Sequence, residues 1–154
     1  MILVTGATGF VGRALLPRLV EGGANVRCLI RPSKVSPRLP KEVPVQVAVS
    51  PITDFRGGRA AMVGVDTVVH LASAEWRGHK GNLEKVDVEG TRKMLEAAKE
   101  AGVSRILYLS HIGADKASAY EVHRMKGRIE ELITRSGIPY TIFRTALLYG
   151  EEDI

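Results

Sequence analysis

The sequence has little cysteine, few aromatic residues and no long apolar run. Cys28 is the only cysteine, so no disulfide can form within the chain. Aromatic residues make up 5% of the 154 positions, and no segment has the roughly 20 apolar residues that span a membrane. These absences argue against a disulfide-stabilised secreted domain and against a membrane protein. The length of 154 residues predicts a single domain, and the lone cysteine predicts a reducing, cytoplasmic setting.

The sequence also lacks the signals of secretion, metal binding and nucleic-acid binding. Its first residues are apolar, with no basic flank and no cleavage site, so we expect no secretory signal. The four histidines are scattered without the spacing of metal ligands, so we expect no metal site. The net charge is +5, but no aromatic residues are interleaved with the basic ones. A basic surface suited to an anionic cofactor is therefore favoured, and we expect no nucleic acid to bind.

A glycine triplet lies between a predicted strand and a predicted helix near the N-terminus. Gly6 permits a tight turn, Gly9 lets the backbone approach a pyrophosphate, and Gly12 lets the helix pack closely on the sheet. The free N–H groups at the helix N-terminus also favour phosphate. In this context a dinucleotide-binding loop is favoured over a glycine-rich structural turn. Its predicted cofactor contacts are Gly6, Thr8, Gly9, Phe10, Val11 and Gly12.

Predicted strands alternate with predicted helices along the whole chain. This alternation is typical of βαβ units, in which helices cover both faces of a parallel sheet. Right-handed crossovers then give a three-layer, doubly wound α/β fold, the Rossmann fold, with strand order 3-2-1-4-5-6. After the N-terminal strand, the predicted strands span 25–30, 45–49, 66–71, 105–110 and 140–143. The predicted helices span 10–21, 55–63, 83–101 and 118–136.

The doubly wound fold predicts where a ligand binds. In such sheets, ligands bind outside the carboxyl ends of the strands, at the point where the strand order reverses. This rule places the glycine loop, Arg31 and the segments 70–73 and 110–112 around one crevice. The crevice adds further candidate contacts to the cofactor, which are Leu71, Ala72 and Ser73.

Two basic residues after the second predicted strand bear on the choice of cofactor. In this fold an acidic residue near that strand end binds the ribose 2′-hydroxyl of NAD, whereas an arginine accommodates the 2′-phosphate of NADP. No Asp or Glu occurs between Asn25 and Lys41, but Arg31 and Lys34 do. A guanidinium can bind a phosphate through two hydrogen bonds, and an ammonium adds a point charge. We therefore predict NADP as the favoured cofactor and NAD as the alternative.

Five segments form an ordered pattern along the chain. They are 5–12 (TGATGFVG), 64–72 (GVDTVVHLA), 88–92 (VEGTR), 108–110 (YLS) and 144–150 (RTALLYG). Together they resemble the short-chain dehydrogenase/reductase superfamily. The resemblance is to its extended and atypical branches, which include NAD-dependent epimerases and dehydratases and the NmrA-like proteins.

The resemblance implies a dinucleotide cofactor, a small-molecule substrate that the sequence does not identify, and a homodimer formed through two long helices. In such families the segment 144–150 leads into a C-terminal part that binds the substrate. Residues 1–154 therefore resemble an NAD(P)-binding Rossmann domain with that substrate-binding part missing. The chain departs from the family at Asp87, where many relatives have asparagine, and at Ser50-Pro51, where many have Gly-Asp. Asp54, close to the latter pair, is predicted as a helix cap.

The resemblance also implies a catalytic serine, tyrosine and lysine. Ser110 matches the serine at the end of the fifth strand. The usual Tyr-x-x-x-Lys pair, which needs both side chains on one helix face, is absent. Tyr120 is followed four residues later by Arg124, and Lys126 is preceded four residues earlier by Val122.

Helix phase favours one register for the segment 118–136. Ser118 and Glu121 form a capping-box pattern, which predicts that the helix starts just after Ser118. The apolar residues of this helix form a stripe that must face the sheet, and they are Val122, Met125, Ile129, Leu132 and Ile133. Lys126 borders that stripe, and Tyr120 points to the opposite side. We interpret Lys126 as the lysine that contacts the nicotinamide ribose, with Val122 at the position of the tyrosine.

Two functions remain open at this point. The favoured one is an NADP(H)-binding domain of an atypical short-chain dehydrogenase/reductase without the usual catalytic tyrosine. The alternative is an active NADP-dependent reductase or nucleotide-sugar epimerase/dehydratase that uses Ser110, Tyr120 and Lys126. In the loop after the fourth strand, Trp76 and Arg77 form either a lid over the crevice or a plain surface loop.

Overall fold

The computed structural model describes residues 1–75 and 82–150. Six parallel strands form one sheet in the order β3-β2-β1-β4-β5-β6, which confirms the doubly wound α/β prediction. The strands are β1 (Ile2–Thr5), β2 (Val26–Ile30), β3 (Gln46–Val49), β4 (Thr67–His70), β5 (Arg105–His111) and β6 (Tyr140–Thr145). The helices are α1 (Phe10–Glu21), α2 (Phe55–Ala61), a π-helical segment (Glu84–Glu89), α3 (Gly90–Glu100) and α4 (Glu121–Thr134). The predicted lid residues Trp76 and Arg77 lie outside the described residues.

Neighbouring residues of β1 pack into different apolar cores. Leu3 belongs to a core that includes residues of α2, α3 and α4, whereas Val4 belongs to a core that includes Leu16 of α1. Because side chains alternate along a strand, these two cores lie on opposite faces of the sheet. A central strand that is buried on both faces is mostly apolar, which is why Ile2, Leu3 and Val4 form a continuous apolar run.

The long helix predicted over 83–101 is interrupted in the structure. It consists of the π-helical segment followed by α3. The Thr91 hydroxyl donates a hydrogen bond to the carbonyl oxygen of Asp87, which lies on the preceding turn. Such side-chain bonds compete with regular helix geometry, and π-helical turns are often found at functional sites. Apolar periodicity predicted the helix correctly, but it did not reveal the change in winding.

Two predicted helix starts have opposite outcomes. Asp54 caps α2 as predicted, because its carboxylate accepts a hydrogen bond from the backbone N–H of Arg56 at 3.0 Å. The predicted start just after Ser118 is wrong, because α4 begins at Glu121 and Tyr120 occupies the N-cap position. The Ser118 hydroxyl instead accepts from the N–H of Tyr120, two residues on, and so closes a local turn.

Candidate functional site

A cleft of about 650 Å³ lies at the carboxyl ends of the strands, at the predicted reversal of strand order between β1 and β4. Its volume is in the range of small-molecule sites, about 300–1,000 Å³. The glycine loop and Arg31 line one part of it. Leu71, Ala72, Ser73, Ser110 and Lys126 line another. We call the part at the carboxyl ends of β4 and β5 the nicotinamide end, because the resemblance to short-chain dehydrogenases/reductases implies a nicotinamide beyond those strands.

The glycine loop has no space for side chains at two of its three glycines. Gly6 has a φ of +71°, and a Cβ there would lie 2.5 Å from the carbonyl carbon of Leu71. A Cβ on Gly12 would lie 2.4 Å from the carbonyl oxygen of Gly6. At the start of α1, Gly9 occupies the N-cap position and no side chain caps the helix. The first-turn N–H groups therefore suit the pyrophosphate of a dinucleotide.

His70 is buried in the centre of a hydrogen-bond chain beneath the cleft. The Thr5 hydroxyl oxygen accepts from the backbone N–H groups of Leu71 and Ala72, and lies 2.7 Å from Nδ1 of His70. Because that hydroxyl already accepts twice, it donates its proton to Nδ1. Nε2 then carries the ring proton and donates to the Thr91 hydroxyl at 2.8 Å. The ring is therefore neutral and structural, and it fixes the backbone that forms the wall of the cleft.

Burial, with a smaller contribution from the charge of Lys126, lowers the pKa of His70 from 6.5 to about 3. In the unfolded chain the imidazole is therefore protonated below about pH 6.5, whereas in the folded chain it stays neutral down to about pH 3. The stabilising contribution of the neutral ring is complete above pH 6.5 and is lost as the pH falls. We expect His70 to reduce the free energy of unfolding by about 2 kcal/mol between pH 7 and pH 5. Urea unfolding at both pH values measures this change. In His70→Gln the free energy of unfolding should fall less steeply with decreasing pH, by the uptake of one proton. An equally steep fall in both proteins would contradict the assignment.

Asp87 connects the π-helical segment to the loop after β4. Its side chain is buried, accepts from the Ser73 hydroxyl and accepts from the backbone N–H of Ala74 at 2.9 Å. Burial raises the pKa of Asp87, while the hydrogen bonds and the charge of Lys126 oppose that rise. Asp87 therefore holds Ser73 and the adjoining wall residues at the edge of the cleft.

Lys126 is 7% exposed and reaches the nicotinamide end from α4. Its Nζ lies 4.0 Å from Oε2 of Glu75 and 5.4 Å from the centre of the Tyr108 ring. Burial lowers the pKa of Lys126, and the carboxylates of Glu75 and Asp87 oppose that effect. At 4.0 Å the ammonium is close to a counter-charge but forms no short hydrogen bond to it. Its donors can therefore serve a ligand.

The Ser110 hydroxyl donates its proton in a hydrogen bond within the protein. Its Oγ donates to Oε1 of Glu130 at 2.6 Å, and the Arg144 guanidinium binds the same carboxylate, with Nε at 3.0 Å from Oε1. Burial raises the pKa of Glu130, but the bonds from Arg144 and Ser110 outweigh it and the net pKa lies below the usual range. Glu130 is therefore an ionised acceptor. Ser110 lines the cleft with its oxygen but has no proton left to donate to a ligand.

The structure brings most of the predicted site residues together, but two lie elsewhere. All the predicted glycine-loop contacts, Arg31, the three wall residues, Ser110 and Lys126 line the cleft. Lys34 is exposed and does not belong to the residues that line the cleft. Tyr120 is 75% exposed and also lies outside the cleft lining, with its ring in a T-shaped contact with the ring of His123.

Two residues of the nicotinamide end were not singled out from the sequence. Nε2 of His111 lies 3.0 Å from Oε2 of Glu75, and both side chains line the cleft. His111 falls in the segment 110–112 that topology assigned to the crevice, but its partner was unknown. Glu75 lies two residues after the segment Leu71–Ser73. Its position just after the fourth strand could therefore have predicted that it lines the cleft.

Residues 1–75 and 82–150 contain neither a candidate metal site nor a candidate membrane-spanning helix. No group of three or more His, Cys, Asp or Glu side chains there is arranged to hold a metal ion. Within the same residues, no helix is both long enough and apolar enough to cross a membrane. His79 lies outside the described residues.

Comparisons with known proteins place this geometry among dinucleotide-binding proteins. A family described as NAD(P)H-binding matches residues 6–154. The photosystem II assembly factor Ycf39 of Cyanophora paradoxa is 29% identical over 143 residues, which cover 93% of this chain and 44% of that protein.

Two solved structures are similar in fold. The NADPH-dependent quinone oxidoreductase QOR2 of Escherichia coli, complexed with NADPH, has 26% identity and a TM-score of 0.76, over 94% of this chain and 48% of that one. A short-chain dehydrogenase/reductase superfamily protein of Agrobacterium tumefaciens with bound NAD has 29% identity and a TM-score of 0.75, over the same shares. The chain thus spans less than half of each of these relatives. Because the family match begins at the first glycine of the loop and continues to residue 154, this chain belongs to the NAD(P)H-binding family, as a Rossmann domain with neighbours among the short-chain dehydrogenases/reductases.

Proposed function

We propose that this chain is the NADP(H)-binding domain of an atypical short-chain dehydrogenase/reductase, in which Lys126 binds the nicotinamide ribose and no helix tyrosine acts as general acid. The observation that carries the proposal is the contrast between two side chains of one segment. Lys126 is buried and lines the cleft, whereas Tyr120 is exposed at the N-cap of α4. An ammonium with free donors in a buried cleft suits the hydroxyl groups of a ribose. Val122, one turn before Lys126, has no proton to exchange.

The alternative function is an active reductase or epimerase that uses Ser110, Tyr120 and Lys126. Two contacts make it less favoured. The Ser110 hydroxyl donates its proton to Glu130, so it cannot also donate to a substrate oxygen. Tyr120 would have to leave its contact with His123 and enter the cleft. The proposal keeps the other expectations from the sequence, which are a small-molecule substrate, a homodimer and a cytoplasmic location.

The choice of NADP over NAD rests on Arg31, which follows β2 and lines the cleft. If its guanidinium binds a 2′-phosphate, NADPH should bind more tightly than NADH. A charge-assisted hydrogen bond contributes about 1.5–3 kcal/mol, so the dissociation constants should differ by about tenfold or more. Arg31→Asp should reverse the preference, because it repels the phosphate and can bind the 2′-hydroxyl.

Fluorescence titration with both reduced cofactors measures this preference. Arg38→Asp is the matched control, because Arg38 lies in the same exposed loop, outside the cleft lining, and the change in net charge is the same. Equal affinities of the unaltered protein for NADPH and NADH would contradict NADP selectivity. Failure to bind either cofactor would contradict the proposed function as a whole.

A further inference from the structure

The nicotinamide end contains a carboxylate–imidazole pair that the proposed function does not use. Nε2 of His111 lies 3.0 Å from Oε2 of Glu75. The two residues come from different strand ends, since Glu75 follows β4 by five residues and His111 is the last residue of β5. The pair therefore forms only in the folded chain, at the part of the cleft where a nicotinamide ring is expected.

The pair has the geometry of an oriented proton carrier. The Glu75 side chain is 14% exposed and the His111 side chain is 25% exposed, so the carboxylate is enclosed while the imidazole remains accessible. A carboxylate that accepts a hydrogen bond from one ring nitrogen fixes the orientation of the imidazole. Within the described part of the chain, the other nitrogen, Nδ1, has no hydrogen-bond partner. That nitrogen is the one available to a ligand.

The charged and titratable groups around the pair come from two elements, α4 and the π-helical segment. Lys126 of α4 lies 4.0 Å from the same Glu75 oxygen, and the His123 ring of α4 is 6.4 Å from the His111 ring. Asp87 of the π-helical segment interacts electrostatically with both Glu75 and Lys126. The pair therefore lies beside groups of both signs, the Lys126 ammonium and the Asp87 carboxylate.

Other hydroxyl groups near this end are poorly placed to exchange a proton. The Ser110 hydroxyl donates to Glu130. The Tyr108 hydroxyl is buried without a hydrogen-bond partner among the described residues and is not part of the cleft lining. Burial, and then the charges of Asp87, Glu130 and Glu75, raise the pKa of Tyr108 well above its usual value.

We propose that His111, held by Glu75, is the catalytic proton donor and acceptor of this site, for substrates that carry an aldehyde or ketone carbonyl. The proposal rests on the dinucleotide binding proposed above. In the reductive direction, a hydride from the reduced nicotinamide forms a C–H bond at the carbonyl carbon. The electron pair of the C=O π bond moves to the oxygen, which takes the proton from the His111 imidazolium. The products are an alcohol, the oxidised dinucleotide and a neutral imidazole, which regains a proton from water.

The test measures NADPH oxidation by the full chain with 4-nitrobenzaldehyde and with 9,10-phenanthrenequinone. General acid catalysis contributes about 10²–10⁴-fold, so His111→Asn should lower kcat by about 100-fold or more. The dissociation constant for NADPH should stay unchanged, because the histidine acts on the substrate oxygen. Glu75→Gln, a change in a positioning residue, should lower kcat less and alter its pH profile. His123→Asn is the matched control, since it removes the neighbouring imidazole outside the cleft and should leave kcat unchanged.

A second measurement does not depend on turnover. Diethyl pyrocarbonate modifies accessible imidazoles, and mass spectrometry locates the modified residue. NADPH should protect His111 and leave His123 reactive. His111→Gln, with circular dichroism to verify folding, replaces His111→Asn if that variant does not fold.

Each remaining outcome overturns the proposal. NADPH binding without turnover of either probe does so, as does full activity in both His111 variants. Loss of activity in Tyr120→Phe alone would assign the proton to the tyrosine instead. Failure of NADPH to bind would overturn the proposed function itself, which distinguishes the two conclusions.

Discussion

Gly6→Ala is expected to destabilise the domain strongly and to abolish NADPH binding, whereas Gly23→Ala has a smaller effect. Both glycines have left-handed backbones, with φ values of +71° and +81°. For a residue with a Cβ this conformation costs about 1–2 kcal/mol. Only Gly6 is also enclosed, because its Cβ would lie 2.5–2.6 Å from the backbone of Leu71 and Ala72, whereas nothing lies within 4 Å of a Cβ on Gly23.

The pair of variants therefore separates backbone strain from overpacking. Overpacking of a close-packed site adds about 1–3 kcal/mol or more, so Gly6→Ala should lose at least that much more stability than Gly23→Ala. The backbone of Leu71 and Ala72 cannot give way without moving the wall of the cleft, which is why cofactor binding should be lost as well. Urea unfolding and NADPH titration of both variants measure the two effects. Equal losses of stability would show that the close approach of Gly6 to the backbone of Leu71 and Ala72 adds no cost to the substitution.

Asp87→Leu is expected to have the second large effect. It would leave the Ala74 N–H and the Ser73 hydroxyl without their acceptor, and it would remove a carboxylate whose charge acts on Lys126. Removing one partner of a buried ionic network typically costs about 3–5 kcal/mol. Because Asp87 is 2% exposed, water cannot replace the missing acceptor.

Asp87→Asn is the matched control for this prediction. The amide preserves the shape and one acceptor oxygen, but it has no charge, so we expect a smaller loss of about 1–3 kcal/mol. Both variants should also weaken NADPH binding, because Ser73 and the backbone around it lose their support at the edge of the cleft. Unfolding free energies and NADPH affinities measure these effects. Equal losses of stability in the two variants would contradict this prediction, because they would show that an acceptor oxygen at this position adds nothing to side-chain shape.

The sheet and the glycine loop could be predicted because their signals are local. Apolar runs bounded by glycine and charged residues located the six strands, and the rule of right-handed crossovers then gave the observed order. In the loop, Gly6 and Gly12 are required by the backbone itself, and a spacing of three residues identifies them without knowledge of their neighbours. Two predictions were wrong, the start of α4 and the regular winding of the segment 84–89. Both features depend on which side chains form hydrogen bonds with the backbone.

Ionic and hydrogen-bonded partners required the tertiary structure. Glu75 and His111 are 36 residues apart in sequence, and Ser110 and Glu130 are 20 apart. Nothing in the local sequence distinguishes a serine that can donate to a ligand from one whose proton is used by a buried carboxylate.

The fold class, the order of the strands, the dinucleotide loop and the edge of the sheet where ligands bind could all be predicted from sequence patterns. These follow from periodicity, glycine spacing and chain connectivity, all of which act along the chain. Packing in three dimensions was needed to show that Lys126 is buried at the nicotinamide end while Tyr120 is exposed. It was also needed to show that Ser110 donates to Glu130 and that Glu75 contacts His111. Side-chain partners of this kind depend on where distant strand ends and helix faces converge, and that convergence exists only once the two apolar cores have packed.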